Sequence, residues 1–90
     1  MTKLILETDN SWTKTKVKEA IFTEIAILKN AISRTTRKIE AFRQKYNALD
    51  TSSLFGKVDD MELIEWEGEE EILKELKTNL EALEEIEFEY

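Results

Sequence analysis

Ninety residues make one domain at most, and the absence of cysteine and histidine excludes disulfides, thiolate or imidazole zinc sites, and Cys-His or Ser-His catalysis. The 20 acidic and 13 basic residues leave a net charge of −7, a surface sign that repels nucleic acid and anionic membrane. Apolar residues make up 41% of the chain, proline is absent, and the two glycines, Gly56 and Gly68, leave it almost free of helix breakers.

Residues 1–12 read as an N-terminal arm. Its only apolar run, Leu4-Ile5-Leu6, is too short for a secretion signal and suits a short edge strand, a docking segment or a frayed terminus. No later run approaches a membrane span, and the lack of cysteine fits a cytoplasmic protein.

A long helix is predicted over residues 13–49. Ile21, Ile25, Leu28, Ile32, Thr35, Ile39, Phe42, Tyr46 and Leu49 recur at alternating steps of four and three, a coiled-coil seam. Val17, Ala20, Phe22, Ala26, Ile27 and Ala31 widen the stripe in its first half, enough to touch two neighbours. With Thr13 as N-cap, Trp12 and Val17 form a hydrophobic staple, which accounts for Trp12 without a ligand.

Residues 50–58, DTSSLFGKV, break the periodicity with Asp50, Ser52, Ser53 and Gly56, all turn formers. A connection of this length suits two antiparallel helices, with Leu54 and Phe55 plugging the open end. It is not a calcium loop: with Gly56 at the glycine position, Thr51, Ser53 and Phe55 fall on ligand positions, and only Glu62 fits.

The second helix is predicted over 59–88. Asp59 is its N-cap, Glu62 a capping-box partner, and Val58 with Leu63 a staple. Its apolar stripe runs through Leu63, Trp66, Ile72, Leu73, Leu76, Leu80, Leu83 and Ile86, with Met61, Ile64 and Phe88 nearby. Trp66 sits amid negative charge because it belongs to that stripe, while the surrounding acids cap the helix and cover its wet side. Gly68, inside the stripe, marks a bend or a close approach of another backbone.

Charge divides sharply between the two halves. Residues 1–49 hold ten basic and five acidic side chains, net +5; residues 50–90 hold three and fifteen, net −12. Two such helices attract along their flanks, which sets pairing and register more than bulk stability. The acidic excess cannot be cancelled within the hairpin; it suits a basic protein surface or, equally, a solvated face that gives solubility.

No constellation carries chemistry. Glu62, Glu65 and Glu69 share a helix face, as do Glu67 with Glu71 and Glu81 with Glu85, but a carboxylate di-iron site needs Glu-x-x-His pairs and these acids lie mostly off the stripe. Arg34, Arg37, Lys38, Arg43 and Lys45 make a basic stretch that invites phosphate, yet the acidic helix lies beside it. No serine has a base to activate it, and no glycine-rich phosphate loop is present. No catalytic residue, metal or cofactor is therefore expected.

The segment Gly56-Lys-Val-Asp59-Asp60-Met-Glu62-Leu-Ile-Glu65-Trp66-Glu67, followed by Leu73, Leu76, Leu80 and Leu83, resembles the C-terminal part of small helical-hairpin companion proteins of prokaryotic toxin–antitoxin-like two-gene operons. The resemblance covers about residues 56–83, with Asp59, Asp60, Glu65, Trp66 and Glu67 matching the acidic start and the Glu-Trp-Glu element. Where those proteins carry a Tyr-Gly-Met-type turn, this chain has Tyr46-Asn-Ala-Leu-Asp50. The resemblance implies a non-enzymatic partner protein, an antitoxin that clasps a basic toxin.

The expected fold is all-α, a coiled-coil-like antiparallel hairpin of two long helices. One hairpin cannot bury both sides of the broad first stripe, so a homodimeric four-helix bundle or higher helical oligomer is expected. Its core and interface are assigned to Ile21, Ile25, Leu28, Ile32, Ile39, Phe42, Trp66, Leu73, Leu76, Leu80 and Leu83. The function expected is a protein–protein interaction module, the acidic antitoxin-like partner of a basic protein; the alternatives are a structural coiled-coil homo-oligomer and, least favoured, an enzyme using helix-borne carboxylates.

Overall fold

The computed structural model describes residues 2–5 and 10–89. A short strand, β1 (Thr2–Ile5), leads into helix α1 (Ser11–Tyr46); helix α2 (Asp60–Glu84) and strand β2 (Ile86–Glu89) follow. The two helices pack against each other and carry nearly all of the fold. The molecule measures 62 × 20 × 17 Å, with a radius of gyration of 18.9 Å. A compact domain of this length has a radius near 12 Å.

The helix ends are set by local hydrogen bonding. Asn10 caps α1, its side-chain oxygen accepting from the backbone N–H of Trp12 (2.9 Å) and Thr13 (3.2 Å). The N-cap is thus Asn10 and not Thr13, in keeping with the stronger capping preference of asparagine. Trp12 consequently lies inside the first turn and cannot staple Val17. Its ring is 66% exposed and sits under the Lys16 ammonium, 5.8 Å from the ring centroid.

At the other end Asn47 adopts the left-handed conformation (φ 49°, ψ 46°), which asparagine tolerates better than most residues. Its N–H reaches the Gln44 carbonyl at 3.4 Å, and the N–H of Ala48 reaches that of Arg43 at 3.1 Å. Arg43 and Lys45 in the last turn complement the negative helix end. The seam therefore stops at Tyr46, and Leu49, expected within it, is 83% exposed.

Asp59 caps α2 as predicted, accepting from the Met61 N–H at 2.9 Å. Glu62 does not complete a capping box; its carboxylate pairs with Lys45 instead. The helix ends at Glu84, short of the predicted 88. Its last turn holds no basic residue, and Glu81, Glu84 and Glu85 crowd the negative end of the dipole.

Beyond Glu85 the chain reads Ile86-Glu-Phe-Glu-Tyr90, a strict apolar–polar alternation that belongs to a strand. The structure uses residues 86–89 in that way, pairing β2 with β1 in parallel, Thr2 opposite Ile86 and Ile5 opposite Glu89. Ile86 and Phe88 are thus strand residues, and the arm's Leu4 and Ile5 are in the strand that was one of its readings; Leu6 lies outside the described residues. Parallel strands need a long crossover, and here the whole helix pair supplies it.

The densest packing lies toward the connection. Ile39, Leu63 and Trp66 are essentially sealed from solvent, with Phe42, Tyr46, Ala48, Leu54, Val58 and Leu73 against them. Val58 beside Leu63 is the predicted staple. Of the expected plug, Leu54 joins this cluster but Phe55 is half exposed, because the connection turns through Gly56 (φ 81°) with the Phe55 side chain on its outside. Farther along α1 only Leu28 and Thr35 are buried.

Candidate interaction surface

Trp66 is the anchor of the helix pair. Its ring stacks on Phe42 (centroids 5.8 Å apart, planes 9° apart) and on Tyr46 (6.4 Å, 10°). Such aromatic contacts add about 0.5–1.5 kcal/mol each beyond area burial. The indole N–H, which burial would otherwise leave costly, donates to Glu70 Oε1 at 3.1 Å. One of the surrounding acids therefore satisfies the tryptophan.

Flanking this apolar contact, the opposite charges of the helices meet. Helix α1 carries nine basic and three acidic residues, net +6, and α2 two and ten, net −8. Lys45 pairs with Glu62, Lys38 with Glu69 at 3.4 Å, and Arg43 with Glu70 at 4.0 Å. These pairs are largely exposed, so each stabilises by about 0–1 kcal/mol, and their main effect is to fix register. Glu69 is the most sheltered, with 13% of its side chain accessible. Glu62, Glu69 and Glu70 border the seam, closer to it than the stripe pattern suggested.

The connection folds against one flank of α2. The buried Thr51 donates its hydroxyl proton to Glu67 Oε1 at 2.8 Å. Asp50 accepts from the Ser52 hydroxyl (2.6 Å) and backbone N–H (3.0 Å), and these two bonds hold its carboxyl below the usual aspartate pKa, with a smaller contribution from Arg43. Arg43 Nε donates to the Leu49 carbonyl at 3.0 Å.

The predicted interface residues divide into two groups. Leu28, Ile39 and Trp66 are buried within the single chain. Ile21, Ile25, Ile32, Phe42, Leu73, Leu76, Leu80 and Leu83 are half-buried, with Phe42 and Leu73 packed against the core cluster. More fully exposed are Phe22 and Ile27 on α1 and Met61, Ile64 and Ile72 on α2. The total accessible surface is 6656 Å², against about 5500 Å² for a compact monomer of this mass.

Of the basic stretch, Lys38, Arg43 and Lys45 are engaged by α2, leaving Arg34 and Arg37 with no ion pair among the described residues. Among the described residues no group of three or more acids is arranged to hold a metal ion. A Cβ placed at Gly68 meets nothing within 4 Å, so no other backbone among the described residues approaches it. Glu65, Glu71, Glu75, Glu81 and Glu84 are exposed and make no ion pair among the described residues.

The fold and surface define a class by shape: a long pair of packed helices whose charge is split between them. No protein-family model, curated protein or solved structure matches the chain. Sequence relatedness therefore adds nothing to the geometry.

Proposed function

We propose that the chain is a non-enzymatic protein–protein interaction module, the acidic, antitoxin-like partner of a basic protein. The observation that carries this reading is the exposed acidic surface of α2, which α1 pairs, among the described residues, at Glu62, Glu69 and Glu70. A concentrated negative field steers a basic protein toward this face and disfavours nucleic acid. The resemblance over residues 56–83 points the same way.

In this reading the helices form an antiparallel hairpin. Lys45 lies against Glu62, Phe42 against Trp66 and Lys38 against Glu69, so numbers fall along α1 as they rise along α2. The hairpin assembles as a homodimeric four-helix bundle and works in the cytoplasm. No helix among the described residues is long and apolar enough to cross a membrane. The exposed Ile27 and Ile72 favour a second reading, a structural coiled-coil homo-oligomer with no further ligand.

Co-expression with the product of the adjacent reading frame tests the antitoxin reading. Growth arrest by that product alone, relieved by this chain and not by its Glu71→Lys/Glu75→Lys variant, is the expected result. Absence of arrest, or relief that is indifferent to the charge reversal, would oppose it.

A further inference from the structure

The two flanks of the helix pair are not equivalent. At 3.6 residues per turn, Glu67, Glu70, Glu71 and Lys74 centre about 180° around α2 from Glu69, Ile72 and Leu76. The first set borders a hollow shared with Thr51, where the connection lies against the helix. The second set borders an open groove between the helices. Ala31, Ile72 and Leu76 give that groove its apolar lining, with Arg34 and Lys38 on the α1 side and Glu69 on the α2 side. Ile27, one turn before Ala31, extends the apolar strip and is 52% exposed; Ile72 is 45% exposed.

We infer that this groove is where a second copy of the chain docks, with its α1 laid along α2 of the first copy and its α2 along α1. The inference rests on the antiparallel-bundle reading above and specifies its face and symmetry. Two face-to-face arrangements close with two-fold symmetry. A two-fold across the helices stacks α1 on α1 and α2 on α2, placing +6 against +6 and −8 against −8. A two-fold along the helices stacks each basic helix on an acidic one, and Arg34, which has no acidic partner among the described residues, meets the acidic helix of the second copy. Charge complementarity selects the second arrangement. The face has room for it: its outline of 62 by 20 Å exceeds the roughly 800 Å² per partner of a standard interface.

The test combines mass and distance. Size-exclusion chromatography with light scattering should give the wild-type chain twice its 10.6 kDa mass. Ile72→Glu should raise the dimer dissociation constant about thirtyfold or more, as loss of a central contact does, with helical circular dichroism retained. Ile27→Glu, on the opposite wall, should do the same and covers the case in which the first variant does not fold. Because the chain has no cysteine, Leu49→Cys can carry a single spin label on each copy. The proposed arrangement puts both labels at the same end, separated by at most two lateral widths of 20 Å; the alternative puts them apart by nearly the 62 Å length.

A monomer at all concentrations would overturn the bundle reading together with this face. A dimer indifferent to both glutamate variants, or one with the long label distance, would overturn the face or the symmetry and leave the bundle standing.

Discussion

Replacing Trp66 with alanine removes the side chain that both helices are built around. The residue is fully buried, it stacks on Phe42 and Tyr46, and its N–H is bonded to Glu70. Truncating a buried tryptophan costs about 3–5 kcal/mol. A chain of this length has roughly 5–13 kcal/mol in total, so the variant should lose about a quarter or more of its stability and unfold at markedly lower urea. Trp66→Phe keeps most of the stacking and loses the bond to Glu70, and should cost about 1–2 kcal/mol. Urea titrations followed by far-ultraviolet circular dichroism, at matched protein concentration because any self-association would add stability, would measure both. A Trp66→Ala midpoint displaced by less than about 1 kcal/mol equivalent would refute the anchor and reopen the question of why a tryptophan sits among acids.

Other substitutions test separate parts of the fold. Gly68→Ala should stabilise by about 1 kcal/mol, since the added methyl meets nothing within 4 Å; Gly56→Ala should destabilise by about 1–2 kcal/mol because φ there is +81°. Asn10→Ala and Asp59→Ala should each cost about 1 kcal/mol in thermal unfolding through loss of their caps. The Asp50 carboxyl, followed by NMR, should titrate below an unstructured aspartate and move back up in Ser52→Ala. With the folded pKa lowered, any stabilisation from Asp50 is present above the unfolded pKa and is lost as pH falls through the folded one. Leu76→Glu, on the helix contact and at the groove, should abolish folding or assembly, and an unchanged cooperative melt would remove Leu76 from the core.

The helical part of the fold was legible because it rests on periodicity. The four-three spacing from Ile21 to Tyr46 and the stripe through Leu63, Trp66, Leu73 and Leu76 lie along the helix contact. Asp59 was legible as a cap because Val58 before it and Leu63 after it stand at staple spacing, with Asp60 and Glu62 filling the acidic first turn. The start of α1 was misplaced because Asn10, Ser11 and Thr13 are all capping residues and only geometry chooses among them. The C-terminal strand was missed although its alternation is plain: Ile86 also continues the heptad from Leu83, so one residue satisfies two periods. Its pairing with residues 2–5 is non-local and has no signature in either segment alone. The interaction surface was legible only as a charge imbalance. Which acids α1 takes up, and which flank the connection covers, depend on register and on Thr51 reaching Glu67.

Whether this chain acts through an acidic helix face on a basic protein is decided by affinity purification of the tagged chain from its native lysate at low and high salt. The double variant Glu71→Lys/Glu75→Lys is run alongside, and retained proteins are identified by mass spectrometry. One basic protein in stoichiometric amount is expected, held at low salt, weakened at high salt and lost with the variant. Self-association alone at both salts, unchanged by the variant, would contradict it and leave a structural homo-oligomer.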